Sequence, residues 1–322
     1  MNGAISAEGR IVGVIAAVPR QITTNDGCAD PAAAVEAARM TGVHARRRVT
    51  AWQSARTLCT AAARQLMGGV AWAPASVDVL IYVTQTPEGF IPADVYRIAA
   101  DLGLPARCLC LQANWSCAGY VNGLLTAMRL IGPGQRALLL VGDAVSTIVD
   151  PADRATAPLF GDAGSATAII GGGPLQHFVV GSDGTGADRL AQGPGDFLRM
   201  DGAAVFGFTL RRVPQLIADV VAHGAPDFLL FHQANAFMLE HLARKTRLLD
   251  SYRRDQLPTN IARFGNCSCA SIPLLMATEI DHWLIAGPQR LALLGFGAGW
   301  AWAGAAITCD EPMLVADLIE ED

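Results

Sequence analysis

The chain has 322 residues, of which 52% are hydrophobic and 16% are charged, and its formal net charge at pH 7 is -5. Hydrophobic residues in this proportion can fill either two domains of about 150 residues or one larger core. The low charge provides no overall basic field, so we expect neither nucleic acid nor an anionic membrane surface as a partner.

The predicted location follows from the start of the chain and from its cysteines. Residues 1–10 lack a basic stretch followed by an apolar one, and apolar runs stop well short of the roughly 18 residues of a membrane span. We therefore predict a cytoplasmic protein. Eight cysteines without a secretory signal indicate reduced thiols rather than a disulfide framework. One of these thiols is a candidate reactive group.

Strands and helices alternate along the first half of the chain. Residues 10–16 are predicted as a strand, and apolar spacing predicts a helix within 50–67. A βαβ series follows and predicts a mostly parallel sheet. Its strands are expected at 78–84, 107–113, 136–142 and 165–170, and its helices at 93–103 and 117–131.

Two Cys-x-Cys pairs raise the question of a metal site. They are Cys108 with Cys110 and Cys267 with Cys269. Zinc sites favour two to four intervening residues and further ligands nearby, so we expect no metal. Strand alternation turns Cys108 and Cys110 to one buried face, where a thiol packs as a small hydrophobic group.

A glycine-rich segment divides the chain into two predicted halves. Residues 171–174 read Gly-Gly-Gly-Pro and interrupt the alternating pattern. We place the boundary there, with an N-terminal half at 1–173 that carries Cys117 and a C-terminal half at 174–322 that carries His232 and Asn266, the three candidate site residues. Four residues are too few for a long flexible linker, so the halves are expected to share an interface. The acidic tail after Cys309 is expected to be loose.

The second half repeats the order of the first. An apolar strand from Asp78 is followed after 39 residues by Cys117, and an apolar strand from Asp227 is followed after 42 residues by Cys269. Each cysteine begins a predicted helix. A repeat of this length predicts two similar α/β halves about a pseudo-twofold axis rather than a solenoid. Chemistry then belongs at the junction of the halves.

Three polar side chains fall at strand-to-helix turns on one predicted sheet edge, where open α/β folds place their sites. Cys117 opens a helix, whose N-H groups and dipole stabilise a thiolate and lower the pKa of the thiol. His232 ends the strand from Asp227, and Asn266 precedes the helix that copies the Cys117 helix. The alternative for each is a buried structural cysteine or an ordinary satisfied polar residue.

Short motifs spread over residues 11 to about 307 are similar to those of one enzyme family. In order and spacing the chain resembles β-ketoacyl-ACP synthase III. The resemblance implies an α/β thiolase fold, with duplicated ααβαβα halves in five layers, and a homodimer. The motifs are Cys117-Ala-Gly, Asp150-Pro-Ala-Asp-Arg154, Phe160-Gly-Asp162, His232-Gln-Ala-Asn235, Gly265-Asn266 with Ala270-Ser-Ile-Pro273, and Phe296-Gly-Ala-Gly299.

The resemblance also implies a reaction and the residues that perform it. Cys117 would take an acyl group from acyl-CoA or acyl-ACP, and His232 with Asn266 would bind the thioester carbonyl of malonyl-ACP or malonyl-CoA. Loss of CO2 would leave an enolate that attacks the acyl group on Cys117. The backbone N-H groups of Cys117 and Ala298 would form an oxyanion hole. No permanently bound cofactor is implied, and acyl carrier protein is the implied partner.

Several positions depart from the family's pattern. Glu36 and Met40 stand where a Trp and an Arg usually hold coenzyme A, although Arg154 remains as a candidate contact with CoA or its pantetheine. Ala298 replaces a glycine, which the oxyanion loop tolerates if φ is negative there. Together these departures resemble specialised members of fatty acid or polyketide biosynthesis that act in secondary metabolism.

The carrier-docking positions differ as well. Gly207 and Phe237 stand near positions where the family uses basic residues. Arg244, Lys245 and Arg247 form a basic patch, which either meets an acidic carrier or is a solvated helix face.

Three residues are candidates for the walls of the acyl tunnel. Ile91, in Gly89-Phe-Ile-Pro92, is expected to contribute across a dimer interface. Trp115 either reshapes the tunnel or packs behind the turn of Cys117. Phe206 is the third candidate.

Alternative functions stay open at this point. The first is an acyltransferase on the same fold, in which His232 acts as general base and the acyl group passes from Cys117 to a hydroxyl, amine or thiol without decarboxylation. The second is a non-catalytic partner that shapes the tunnel of a heterodimer, against which the intact Cys117 argues. Asn266 favours condensation. A papain-like hydrolase also uses Cys, His and Asn, but the duplicated pattern does not fit that fold.

Overall fold

The structure is a computed structural model that describes residues 4–24, 36, 38–316 and 318–322. Residues 1–3 of the amino-terminal segment, and residues 34, 35 and 37 of the predicted coenzyme A stretch, lie outside the described residues. The strands and helices, in chain order, are β1 (Ile5–Pro19), β2 (Ile22–Thr24), β3 (Ala45–Arg47), α1 (Ala55–Gly69), β4 (Val79–Val83), α2 (Asp94–Asp101), β5 (Leu109–Ala113), α3 (Gly119–Leu130), β6 (Arg136–Asp143), β7 (Ala163–Ser182), β8 (Leu190–Ala191), β9 (Arg199–Met200), α4 (Gly202–Val221), β10 (Phe228–Phe231), α5 (Ala236–Lys245), α6 (Ile261–Phe264), α7 (Ser271–Glu279), α8 (Asp281–Ala286), β11 (Gln289–Gly297), β12 (Ala301–Cys309), β13 (Leu314–Val315) and β14 (Ile319–Glu321).

A capping box sets the start of α1. The Ser54 hydroxyl accepts a hydrogen bond from the Thr57 N-H, and the Thr57 hydroxyl accepts one from the Ser54 N-H. These bonds satisfy donors that the first turn of a helix leaves unpaired. The helix therefore begins at Ala55, within the predicted region 50–67, and buries the apolar face that its spacing predicted.

The main sheet is mixed rather than mostly parallel, so that prediction is wrong. Its strands follow the order β10-β11-β12-β7-β6-β4-β5, and β1 pairs with β7. β4 lies parallel to β5 and β6, and β10 lies parallel to β11. However, β7 lies antiparallel to β1, β6 and β12, and β12 lies antiparallel to β11. These antiparallel pairs follow from the connections, because parallel neighbours need a long crossover. A short turn joins β11 to β12, and no long crossover helix separates β6 from β7.

β7 carries the chain from one half to the other. Its first part pairs with β6 over residues 163–170, and its last part pairs with β12 over residues 177–182. The predicted boundary at 171–174 thus lies inside a strand and not in a linker. The division into 1–173 and 174–322 stays a prediction.

The helices and the sheet are arranged in five layers, and buried side chains from both halves pack between the layers. α3 and α7 lie in the middle, where Leu124 and Leu275 share one apolar cluster with both parts of the sheet. α1 and α2 cover the outer face of β4 and β6, and α4 and α5 cover the outer face of β10 and β11. This order of helix, sheet, helix, sheet, helix is the arrangement of two α/β halves that the sequence predicted.

The acidic tail is held in the sheet, so the prediction of a loose tail is wrong. β13 and β14 both pair in parallel with β1. Arg47 forms an ion pair with Glu320 at 2.6 Å, and Arg20 forms one with Asp322 at 2.9 Å. The edge of β1 supplies backbone hydrogen bonds, and the two arginines offset the negative charge of the tail.

Cys110 in β5 and Cys108, directly before this strand, are half-buried and pack against the outer cluster of α1 and α2. Leu109 on the opposite face is 46% exposed. The shared face agrees with the strand alternation that the sequence predicted. Among the residues that the structure describes, helices with the length and apolarity of a membrane span are absent.

Candidate active site

Two short 3-10 turns begin the central helices and share one backbone shape. Ser116–Ala118 leads into α3, and Ser268–Ala270 leads into α7. The first residue of each turn adopts a left-handed conformation, with φ of 50° at Ser116 and 49° at Ser268. Such values are uncommon outside glycine and often occur at functional sites. Cys117 and Cys269 therefore occupy equivalent positions in the two halves.

Cys117 is buried in this turn, with an exposure of 7%. Burial raises the pKa of its thiol to about 12, although the Ser268 hydroxyl and the backbone N-H groups of Cys117 and Ala298 act to lower it. The prediction that the helix start lowers this pKa is wrong, because the loss of hydration outweighs the hydrogen bonds to the sulfur. The thiol is accordingly protonated at neutral pH.

Glycines of β11 make room for the nucleophile. A Cβ added at Gly297 would lie 2.9 Å from Cys117 Sγ, and one added at Gly295 would lie 3.0 Å from the Cys117 carbonyl oxygen. Neither glycine was assigned a role from the sequence, although Gly297 stands in a motif that carried the resemblance. Ala298 is not among the residues with positive φ, so the oxyanion loop tolerates alanine at this position, as the sequence analysis required.

His232 follows β10 and is 2% exposed. Its backbone N-H donates to the Leu294 carbonyl at 2.8 Å, and its ring meets the Phe296 ring edge-on at 5.7 Å between centroids. Burial lowers the pKa of His232 to about 4, while a hydrogen bond with the Ser268 backbone opposes this change. The imidazole is therefore neutral at pH 7, and its buried Nδ1 has no hydrogen-bond partner.

Asn266 presents a side-chain amide whose orientation is fixed. Its Oδ1 accepts a hydrogen bond from the Ser268 N-H at 2.9 Å, and its Nδ2 donates to the Ala234 carbonyl at 3.3 Å. Nδ2 carries two N-H groups, so one remains for a ligand. The preceding Gly265 has φ of 67°, and a Cβ there would lie 2.6 Å from the Leu159 carbonyl oxygen, so the turn requires glycine.

The three predicted residues line one cavity of about 70 Å³. Most of the other side chains around it are apolar. An apolar pocket with a few convergent polar groups suits a ligand that has an acyl chain and a reactive carbonyl. The apolar lining consists of Leu159, Phe160, Leu190, Met200, Val205, Ala234, Met238 and Phe296.

The tunnel candidates are not among the residues that line this cavity. Ile91 is 95% exposed. Trp115 packs against the central cluster and borders a separate open depression of about 530 Å³, which favours packing behind the turn. Phe206 contacts the Phe237 ring at 5.6 Å between centroids, whereas its neighbour Val205 lines the cavity. Their roles stay predictions.

The residues that replace the family's usual coenzyme A contacts lie on the surface. Glu36 forms an ion pair with Arg39 at 2.7 Å, and Met40 is 47% exposed. Arg154 is also exposed.

The predicted basic patch is partly neutralised. Arg244 pairs with Glu240 at 3.1 Å, and Arg247 pairs with Asp250 at 2.6 Å. Lys245 is exposed at the end of the same helix. Exposed pairs of this kind are weak, so the local field on a carrier is reduced but not removed.

The sequence analysis missed Ser268, which contacts all three predicted residues. Its N-H donates to Asn266 Oδ1, its Oγ lies 3.9 Å from Cys117 Sγ, and its backbone is a hydrogen-bond partner of His232. The signal that could have found it is the repeat, in which Ser268 holds the position of Ser116 next to the nucleophile.

Comparisons with known proteins identify similar sequences and folds. Two family models match, one described as 3-oxoacyl-[acyl-carrier-protein (ACP)] synthase III at residues 111–184 and its C-terminal counterpart at residues 220–309. The β-ketoacyl-[acyl-carrier-protein] synthase III of Streptococcus gordonii is 31% identical over an alignment with a length of 318, and the alignment covers 90% of this chain and 96% of that protein.

Solved structures agree with the sequence comparisons. The 3-oxoacyl-(acyl-carrier protein) synthase of Burkholderia xenovorans LB400 superposes with a TM-score of 0.93 and 38% identity, and 99% of each chain is covered. The 3-oxoacyl-(acyl carrier protein) synthase III of Pseudomonas aeruginosa PAO1 gives a TM-score of 0.85 and 29% identity, and covers 95% of this chain and 100% of its own.

Proposed function

The chain belongs to the β-ketoacyl-ACP synthase III family of condensing enzymes with the thiolase fold, and we propose that Cys117, His232 and Asn266 are its catalytic residues. The reaction is the decarboxylative condensation of an acyl group on Cys117 with a malonyl-carrier. One observation carries the assignment of roles: these three residues share a small apolar cavity at the start of the central helices.

The first half-reaction is acyl transfer to Cys117. Sγ attacks the carbonyl carbon of a thioester donor, a new carbon-sulfur bond forms, and the bond to the donor's sulfur breaks. Since the Cys117 thiol is protonated at rest, its proton must leave as Sγ attacks, and this proton ends on the departing thiol of the donor. The neutral imidazole of His232 lines the same cavity and can accept a proton during the transfer. The N-H groups of Cys117 and Ala298 stabilise the oxyanion, a contribution of about 3 kcal/mol for each such donor.

The second half-reaction is condensation. The thioester carbonyl of the malonyl group accepts hydrogen bonds from Asn266 Nδ2 and from the neutral His232 ring. These donors stabilise the enolate that forms as CO2 leaves. The carbanion attacks the acyl carbon, a carbon-carbon bond forms, and the bond to Cys117 Sγ breaks. The released thiolate then takes a proton from solvent.

The substrates are proposed from the family and from the surface around the site. The malonyl group arrives on acyl carrier protein, and no permanently bound cofactor takes part. Glu36 and Met40 themselves offer coenzyme A neither a stacking face nor a phosphate partner, and Glu36 engages the neighbouring Arg39 in an ion pair at 2.7 Å. We therefore propose that the donor is an acyl-carrier or an unusual CoA ester. We place the enzyme in fatty acid or polyketide biosynthesis, as a specialised member that acts in secondary metabolism. We place it in the cytoplasm.

A homodimer is part of this proposal. Trp52, Phe90 and Ile91 are 91%, 90% and 95% exposed in the single chain. Large apolar side chains exposed to this degree often mark an interface when they cluster. We place Ile91 at the tunnel of the partner subunit.

Intact mass spectrometry tests the proposed function. The protein is mixed with a panel of acyl-CoA and acyl-carrier donors and with malonyl-carrier, and both enzyme and carrier are weighed. We expect an acyl adduct on the wild type that is absent from Cys117→Ser, together with a β-ketoacyl group on the carrier. An adduct with untouched malonyl-carrier would instead identify an acyltransferase. A failure of all donors, with co-purification of an active homologue, would indicate a non-catalytic partner.

A further inference from the structure

We propose that Ser268 is a further catalytic residue, whose hydroxyl donates a hydrogen bond to Cys117 Sγ, and that Gln85 and Asp143 are positioning residues that keep the hydroxyl in this role. The inference rests on the proposed function only in taking Cys117 as the nucleophile. It assigns a use to a buried polar chain that the reaction described above does not employ.

The contacts of Ser268 determine where its proton points. Its Oγ lies 3.9 Å from Cys117 Sγ and accepts a hydrogen bond from Gln85 Nε2 at 2.5 Å. An amide nitrogen can only donate, so Oγ is the acceptor in that bond. The single hydroxyl hydrogen is therefore left for Cys117, and the bond strengthens when the sulfur becomes a thiolate.

Asp143 fixes the orientation of Gln85. Its Oδ2 accepts a hydrogen bond from Gln85 Nε2 at 3.3 Å, and its Oδ1 accepts one from the Gln85 backbone N-H at 2.6 Å. A carboxylate oxygen faces a donor in preference to an amide oxygen, so Nε2 and not Oε1 is turned toward Ser268. Asp143 thus acts on the nucleophile through two intermediate side chains.

The carboxylate is itself anchored from several elements. Asp143 is fully buried at the end of β6. Thr84 Oγ1 donates to its Oδ1 at 3.1 Å, and Cys269 Sγ donates to its Oδ2 at 3.0 Å. Cys269 belongs to the turn that copies the Cys117 turn, so the two halves of the repeat meet in this chain of hydrogen bonds. A hydrogen-bond network anchored on a buried carboxylate in this way holds its members in one geometry.

Other groups near the sulfur do not replace the hydroxyl. The negative charge of Asp143 raises the pKa of Cys117. Burial keeps the pKa of Cys269 well above its usual value, so the Cys269 thiol stays protonated. His232 is neutral because burial lowers its pKa to about 4. Among the groups that lower the pKa of Cys117, Ser268 has the largest effect.

The test is the pH dependence of Cys117 alkylation by iodoacetamide, followed on the Cys117 peptide by mass spectrometry. Below its pKa, a thiol is alkylated at a rate that follows its thiolate fraction. Loss of a hydrogen bond to a charged group should shift the profile of Ser268→Ala upward by about one pH unit, which is about tenfold slower alkylation at a given pH. Gln85→Met should shift it in the same direction by roughly half as much.

Ser271→Ala is the matched control. Ser271 lies in the same segment and is 1% exposed, and its Oγ has no hydrogen-bond partner, so its removal should leave the profile unchanged. Profiles of Ser268→Ala and wild type that superimpose would overturn the proposal. If circular dichroism shows Ser268→Ala to be unfolded, Gln85→Met decides, and an unshifted profile for it overturns the proposal.

The reagent needs no acyl donor, so this test is independent of the proposed function. A shifted alkylation profile supports the role of Ser268 even if thioesters fail to acylate the wild type, and that failure would count against the proposed function alone.

Discussion

Both ionisable side chains of the site are held in their neutral forms by burial. The pKa of Cys117 is raised to about 12 and that of His232 is lowered to about 4, and loss of hydration is the main cause of each change. The site therefore begins each cycle without a thiolate-imidazolium pair. Negative charge forms only as substrate reacts, next to N-H and O-H donors that are already in place.

The neutral His232 makes stability depend on pH. Its pKa of about 4 in the folded protein lies below the ordinary value of 6.5, so the unfolded chain binds the proton more readily. Between these values the unfolded state carries more protons, and stability falls as the pH falls. At about 1.4 kcal/mol per pH unit, the loss from pH 7 to pH 4 is on the order of 3 kcal/mol.

Urea unfolding across this pH range checks the effect, with His232→Asn as the comparison. We expect the free energy of unfolding of the variant to fall less steeply than that of the wild type. Parallel curves for the two proteins would contradict a buried neutral imidazole.

Gly297 tests how closely the nucleophile is packed. In Gly297→Ala the new Cβ would lie 2.9 Å from Cys117 Sγ, so the sulfur must move. Displacement of a reacting atom by up to 1 Å can cost on the order of 100-fold in rate. We expect acylation of Cys117, measured by single-turnover mass spectrometry, to slow by about that factor. Gly184→Ala, where the new Cβ meets nothing within 4 Å, should react like the wild type.

At the scale of elements, the strand-to-helix turns place the reactive groups. The sequence predicted the turns of Cys117 and Asn266 because a strand pattern, small residues and a helix pattern follow one another there. It did not predict the left-handed φ of Ser268, and it did not predict the hydrogen bond to Ser268 Oγ, which comes from Gln85, far away in the chain. Burial of Cys117 likewise depends on β11, so the change in its pKa was predicted with the wrong sign.

The strand β7 joins the two halves and tolerates little change at its middle. In Gly171→Ala the new Cβ would lie 2.0 Å from the Gly132 carbonyl oxygen, which is backbone and cannot rotate away. We expect the free energy of unfolding in urea to fall by about 2 kcal/mol, a typical cost of overpacking. Gly184→Ala is again the control, and an equal stability of the two variants would contradict the close approach seen in the structure.

At the scale of the whole molecule, the repeat was the strongest signal in the sequence. Its two copies predicted the central helices and placed Cys117, His232 and Asn266 on one edge of the sheet, and the structure brings these three together in one cavity. The antiparallel course of β7 and the pairing of the tail with β1 were not predicted. Both depend on which strand edges are free after the halves assemble, and local patterns do not record that.

The exposed Ile91 tests the proposed homodimer. Ile91→Trp adds bulk to a side chain that we place at the partner's tunnel, so longer acyl donors should be excluded. The measurement is the relative rate of acyl-enzyme formation across donors of increasing chain length, with size-exclusion chromatography to confirm an unchanged assembly. A donor profile identical to that of the wild type would count against a tunnel position for Ile91.

The central claim is that this site decarboxylates a malonyl-carrier to form a carbon-carbon bond. It is tested most directly by CO2 released from carboxyl-labelled malonyl-carrier in wild type and in Asn266→Asp, which keeps the oxygen that binds the Ser268 N-H but loses the N-H donor. We predict CO2 and β-ketoacyl product in equal amounts from the wild type, and release on the order of 100-fold slower from the variant while Cys117 is still acylated. Acylated wild type that releases no CO2, or a variant that releases it at the wild-type rate, would contradict the account.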